Sequence, residues 1–211
     1  MNNLLPEFEK RFSCRKFVPG KALQREQICM LLEAARRTPS GSNRQPWKFV
    51  VVQEEDTIQK MSELTFKQQF MKNASCVIVV LGDPSVRDTK PTEERLNELK
   101  EAGAFSDSEI EVLKTEIRAV ATDQVKEMAK IVRDCAIAAY GLMLQAARME
   151  LGTCWVSIKD KTGLRNLCKI PDNFELVCMI PIGKPDSVPG KPRPRNDIES
   201  FSFSEYFGKG W

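Results

Sequence analysis

Three short segments carry the side chains that could do chemistry. In the first, Lys10-Arg11-Phe12-Ser13-Cys14-Arg15-Lys16-Phe17, four cations crowd into seven positions around a hydroxyl and a thiol. The second, Pro39-Ser40-Gly41-Ser42-Asn43-Arg44-Gln45-Pro46-Trp47, offers the hydroxyls of Ser40 and Ser42, the amides of Asn43 and Gln45, and the N–H groups of a glycine-containing turn. The third is Lys191-Pro192-Arg193-Pro194-Arg195, where an extended backbone sends Lys191, Arg193 and Arg195 to the same side. Taken singly, each reads as a solvated basic patch, a nucleic-acid contact or a cradle for one anion. The first reads also as a reactive-cysteine site, because flanking cations lower a thiol pKa.

What the chain lacks narrows these choices. It has no histidine, which removes Ser-His-Asp and Cys-His nucleophiles and every histidine-containing metal site. No G-x-G-x-x-G follows a strand pattern and no G-x-x-x-x-G-K-[ST] occurs, so a phosphate would be held by side chains rather than by a glycine-rich loop. The 7 cysteines form no C-x-x-C pair and no zinc-type spacing, and most sit in apolar runs, where a free cysteine is a small core residue. No metal site is expected. Net charge is +3 over 211 residues, with 29 acids interleaved among 32 basic residues; that is far from a dedicated nucleic-acid domain. The opening MNNLLPEFEKRF has no long apolar core of the secretory kind, and no apolar run is long enough to span a membrane. The expectation is a cytoplasmic protein with no nucleic-acid or membrane partner.

Hydropathy patterning supplies the elements that must position these residues. Ile28, Leu31, Leu32 and Ala35 recur at helical spacing over 24–37, and the turn formers of residues 38–43 break that helix. Residues 48–53 and 76–81 read as strands, the second apolar throughout and so buried on both faces. A helix is expected over 57–70. The polar stretch 89–122 is expected as a helical excursion: Thr92 caps one helix that Gly103 ends, and Ser106 with Glu109 forms a capping box for a second, with Ile110, Leu113, Ile117 and Val120 on one face. Residues 125–150 predict a long helix, apolar nearly all round in its middle, as at a core or subunit interface, with Gly152 in the C-terminal cap. Strands are expected at 153–158 and 174–182, with a short helix at 164–169 between them. The arm 184–211 begins proline-rich and ends in five aromatics, which are expected to dock on the chain's own body or on a partner. The whole reads as one α+β domain, 1–211.

In this order, the segments closely resemble the nitroreductase family. Arg11-x-Ser13-x-Arg15 is similar to the family's opening R-x-S-x-[RK]. Ser40-Gly-Ser-Asn43-Arg-Gln45-Pro46-Trp47-Lys-Phe49 resembles S-x-x-N-x-Q-P-W-x-F, the most specific element. Ala146-Ala147 through Gly152 and Trp155 resembles the close of the family's long helix, and Gly183-Lys-Pro185 followed by Lys191-Pro192-Arg193 its G-x-P and K-x-R. The resemblance covers about residues 7 to 196.

The resemblance implies an α+β fold whose mixed or antiparallel central sheet is flanked by helices, and a homodimer that exchanges C-terminal segments. It implies FMN at the subunit interface, with NADH or NADPH as transient co-substrate and nitro compounds, quinones or similar small acceptors. It assigns Arg11, Lys191 and Arg193 to the FMN phosphate, and Ser13, Ser40 and Asn43 to the phosphate, ribityl chain or ring edge. Arg15 goes to the pyrimidine edge, Gln45 supports the ring or its loop, and Val156 and Ser157 offer backbone N–H groups toward flavin N5. No side chain is assigned as catalytic, because the cofactor carries the reaction. Trp47 and Trp155 are expected in the core, Arg44 and Arg195 in solvent, and Cys14 as a bystander. Residues 66–70 depart from the Asn and Lys that some relatives place there, so no ring contact is assigned to them. Two alternatives stay open: the same flavin fold running reductive dehalogenation, flavin fragmentation or enoate-type reduction, and a flavin binder that is not an enzyme.

Overall fold

The computed structural model describes residues 3–120, 124–191 and 193–210. The end of the polar excursion at 121–122, Pro192 and Trp211 lie outside them, as do the side chains of Ile117 and Val120. At the centre is an antiparallel sheet of β1 (Trp47–Val52), β2 (Cys76–Gly82), β3 (Gly152–Thr153) and β4 (Glu175–Gly183), in the order β1-β2-β4-β3. Of the two expected sheet types it is therefore the antiparallel one, joined by a single parallel bridge from Ser13 to Thr153. The helices are α1 (Pro6–Lys10), α2 (Arg25–Arg36), α3 (Glu55–Glu63), α4 (Thr89–Glu101), α5 (Asp107–Val120), α6 (Gln124–Arg148) and α7 (Lys161–Cys168).

The sheet is the middle of three layers. Side chains alternate across a strand, so Cys76, Ile78 and Val80 of β2 face a core completed by Leu31 and Ala35 of α2 and by Ala138, Leu142 and Ala146 of α6. Val77, Val79 and Leu81 face the other core, with Ile58 and Met61 of α3 and Leu164 of α7. Both faces are covered, which is why every residue of β2 is buried.

Several boundaries differ from the sequence expectation. The helix expected over 57–70 ends at Glu63, where Leu64 turns out of the helix and its carbonyl accepts the backbone N–H groups of Lys159 and Asp160, at 2.9 and 3.1 Å, in place of a helical partner. Thr92 caps nothing: Asp88 is the N-cap residue of α4, and Thr92 is buried in the first turn, its hydroxyl on the Val86 carbonyl at 3.3 Å. The Ser106 box is present, with Ser106 N donating to Glu109 Oε2 at 2.8 Å. At the end of α6 the left-handed residue is Glu150, φ 58, and not Gly152, which begins β3. The expected strand over 153–158 reduces to Gly152–Thr153 and single bridges at Val156 and Ile158.

Candidate functional site

The two terminal segments meet beside the end of β4. Val18 N donates to the Lys184 carbonyl at 2.9 Å and Asp186 N to the Lys16 carbonyl at 3.0 Å. This short ladder sets the Arg11–Arg15 stretch alongside the chain that continues to Lys191 and Arg193. On its other side Cys14 N donates to the Thr153 carbonyl at 2.8 Å. Cys14 and Phe17 turn into the core, which leaves Arg11 and Ser13 half-buried and Arg15 exposed.

Cys154 reports how near the cations are. Burial pushes its thiol up, and the positive charges of Arg15, Arg193 and Arg11 act on it in the opposite sense. The charges of three guanidiniums, from the two ends of the chain, are thus felt at this one buried thiol. Among the described residues, Arg11, Arg15, Lys191 and Arg193 form no ion pair with a carboxylate; Arg15 only reaches the Ser13 carbonyl, at 3.4 Å. Lys191 is exposed two residues before Arg193. Guanidinium forks with an adjacent hydroxyl, lacking an internal counter-ion, are a donor set suited to a phosphate dianion. Cys14 is no reactive thiol: burial raises its pKa, and its Sγ is directed at the Lys16 carbonyl at 3.1 Å.

The second segment lies elsewhere. Ser40 to Gln45 forms a tight loop in which Ser42, Asn43 and Gln45 take φ of 50, 51 and 50°. Such left-handed backbone costs about 1–2 kcal/mol per residue outside glycine. Inside the loop, Gln45 N donates to Ser40 Oγ at 3.0 Å and Gln45 Nε2 to the Asn43 carbonyl at 3.3 Å; Gln45 therefore braces the loop. Trp47, which follows it, pairs with Gly82, whereas Ser13 pairs with Thr153, Thr153 with Ile182, and Ile182 with Cys76. The loop and the cation cluster thus stand at opposite ends of β2. Six steps of about 3.3 Å separate those ends by roughly 20 Å, so the chain does not bring Ser40, Asn43 and Gln45 to Arg11, Ser13 and Arg193.

Other expectations are corrected. Val156 is buried and its N–H donates to the Met179 carbonyl at 2.9 Å, so it has no free donor to present. Cys154 N and Val156 N both turn to β4, and alternation along an extended chain turns the amides of Trp155 and Ser157 to the opposite side. Trp47 is in the core, but Trp155 is 39% exposed. Arg195 is exposed as expected. Arg44 is not: its side chain is mostly buried against Glu127, Nη1 to Oε2 at 3.3 Å. Burial would raise the Glu127 carboxyl, yet Lys130, with help from Arg44 and Arg87, holds it below the usual carboxylate range. Sequence reasoning missed Glu127 and its neighbour Asp134. Both acids lie seven apart on α6, one heptad on the same face, which was the available signal.

Among the described residues, no group of three Cys, Asp or Glu is arranged to hold a metal ion, and no helix is long and apolar enough to cross a membrane.

An antiparallel sheet between helical layers, with cation-bearing segments from both chain ends side by side at one end of it, defines a class that comparison identifies. The model of the nitroreductase family matches residues 8–184. The chain belongs to that family. The major NAD(P)H-flavin oxidoreductase of Aliivibrio fischeri is 33% identical over 81 residues, which cover 36% of this chain and 37% of that protein. Among solved structures, a nitroreductase-like protein of Streptococcus mutans superposes with a TM-score of 0.83 at 25% identity, covering 96% of this chain and 98% of that one. A protein from Exiguobacterium sibiricum, solved in complex with FMN, superposes with a TM-score of 0.81 at 21% identity, covering 97% and 98%.

Proposed function

We propose that the protein is an FMN-dependent NAD(P)H oxidoreductase that passes electrons to nitro compounds, quinones or similar small acceptors in a ping-pong cycle. One observation carries the reading: the backbone ladder between residues 16–18 and 184–186 sets Arg11, Ser13 and Arg15 beside the chain that leads to Lys191 and Arg193, and among the described residues none of these cations is ion-paired to a carboxylate. The family match and the FMN-bound structural relative support the choice of anion, and the named flavin oxidoreductase supports the nicotinamide donor. FMN held there would supply the two-electron chemistry between nicotinamide and acceptor.

The chain's own residues bind and tune. Arg11, Arg193 and Lys191 hold the phosphate, with Ser13 donating its hydroxyl. Arg15 sits toward the ring, where its charge favours the negative charge that reduction creates. Ser157 offers a backbone N–H in place of Val156. The roughly 20 Å between the cradle and the Ser40–Gln45 loop supports a homodimer in which one subunit supplies the cradle and its partner supplies Ser40, Asn43 and Gln45 at the ring and ribityl chain. The arm 184–211 then reaches the partner subunit, and 89–122 is an excursion of the same single domain 1–211. A reducing compartment, the cytoplasm, suits a chain whose cysteines are free thiols.

The test is FMN titration of the purified protein, followed by anaerobic mixing with NADH and NADPH. The expected protein is yellow and is bleached by at least one nicotinamide. Changing Lys191 and Arg193 together to Ala is expected to weaken FMN at least ~100-fold, since a charged hydrogen bond is worth about 1.5–3 kcal/mol, with the far-ultraviolet circular dichroism kept. Full FMN occupancy in that variant refutes the cradle; a colourless protein indifferent to added FMN refutes the function.

A further inference from the structure

The Ser40–Gln45 loop is strained, and its internal hydrogen bonds do not by themselves explain why it stays so. Two buried carboxylates on α6 hold it from outside. Asp134 Oδ2 accepts the Gly41 N–H at 3.0 Å, and Glu127 Oε2 accepts from Arg44 Nη1 at 3.3 Å. Both acids are only 4% exposed. Buried carboxylates are costly unless paired, and each of the α6 pair is satisfied in the same divided way. Its other oxygen belongs to a cation of its own helix: Lys130 Nζ on Glu127 Oε1 at 2.6 Å, and Arg133 Nη2 on Asp134 Oδ1 at 2.8 Å. One oxygen of each acid is therefore fixed to α6 and the other is left for the loop.

The grips flank the first two left-handed residues, Gly41 before Ser42 and Asn43, Arg44 after them and next to Gln45. The fit is close: a Cβ on residue 41 would stand 3.3 Å from Arg133 Nη2 and 3.6 Å from Asp134 Oδ2. Arg87, in the segment leading into α4, joins the same Glu127 oxygen at 3.7 Å. The chain that enters the helical excursion is thus anchored at the point that holds the loop.

We propose that Glu127 and Asp134 are positioning residues, a two-point clamp that presets the Ser40–Gln45 loop for the flavin. The proposal rests on the reading of that loop as a contact of the flavin ring and ribityl chain. It differs from the phosphate cradle in what it recognises: the clamp acts on the part of the ligand that riboflavin shares with FMN, and the cradle acts on the phosphate alone.

The experiment compares Glu127→Gln, Asp134→Asn and Arg193→Ala in the full-length protein, titrated with FMN and with riboflavin by quenching of flavin fluorescence. Thermal unfolding of each apoprotein is recorded beside it. Each clamp variant is expected to weaken FMN and riboflavin by the same factor, about tenfold, the size of one lost charged hydrogen bond. Arg193→Ala is expected to weaken FMN and spare riboflavin. Arg44→Lys, which keeps the charge facing Glu127, is expected to retain affinity within about threefold, while Arg44→Met matches Glu127→Gln. The clamp is overturned if its variants unfold at lower temperature yet bind both flavins as the wild type does, or if they weaken FMN alone. In either case a selective loss of FMN in Arg193→Ala leaves the cofactor assignment standing. Failure of the wild type to bind either flavin removes that assignment, and the clamp with it.

Discussion

Gly152 stands where no side chain fits. A Cβ there would lie 2.7 Å from both Cβ and Sγ of Cys14, on the strand whose partner carries Ser13 and Arg15. The glycine's role is close approach rather than a left-handed turn, since Glu150 takes the turn. Gly152→Ala is expected to cost about 1–3 kcal/mol, the usual range for overpacking, and to push the N-terminal segment off Thr153. Urea unfolding measures the first effect. FMN titration measures the second, because displacing Ser13 loosens the cradle. A variant as stable as wild type with unchanged FMN affinity would remove Cys14 packing as the reason for the glycine.

At the scale of elements, what could be read from sequence divides by how local the cause is. β1, β2 and β4 were legible because valine- and isoleucine-rich runs have few alternatives to a strand. The α5 cap was legible because Ser106 and Glu109 act within one turn. The end of α3 at Glu63 was not, because the residues that take up the Leu64 carbonyl, Lys159 and Asp160, lie far along the chain. The candidate site follows the same rule. The Ser40–Gln45 loop shows in its own residue types, whereas its anchors Glu127 and Asp134 lie 83 and 93 positions from their partners and look, on the helix alone, like solvated acids. Helix α2 offers a test of a purely local interaction. Arg36 and then Arg37 hold Glu33 down to about 2 from its ordinary 4.5. A depressed carboxyl stabilises the fold above its unfolded pKa and loses that contribution as pH falls through its folded one. Glu33→Gln is therefore expected to be slightly less stable than wild type at pH 7, with the difference fading from pH 4.5 toward 2 and in high salt, where exposed pairs are screened. Urea unfolding across that pH series checks it; a gap that persists at pH 2 would assign the effect to packing instead of charge.

At the scale of the whole molecule, the C-terminal arm is the part of the chain that does not cover itself. Phe203 and Phe207 lie 4.5 Å apart between ring centroids, and Lys209 lies over Tyr206, so the last residues hold a local shape; yet Phe207 remains 89% exposed. Among the described aromatics of the arm, Phe203 is half-buried, while Phe201 and Tyr206 are exposed with Phe207. Aromatic surface of this kind is ordinarily covered by a partner, in keeping with the proposed homodimer. Deleting residues 197–211 removes no strand and no α-helix. The expected product keeps its circular dichroism, sediments with more monomer and holds FMN less completely. Sedimentation identical to the full chain would exclude arm exchange as a source of dimer stability.

The order of strands in the sheet also has a bearing on how the protein is made. β2 can pair with β1 as soon as residues 47–82 have left the ribosome, but its other edge is matched only by β4, at residues 175–183. Until then a wholly apolar strand shows one unpaired edge, the condition under which nascent chains associate with one another. The polar helices α4 and α5 are synthesised in that interval, and completion of the sheet waits until residues 175–183 emerge. Synthesis arrested between residues 120 and 174 would leave a fragment that is prone to aggregate, and chaperone engagement during translation should peak over the same stretch.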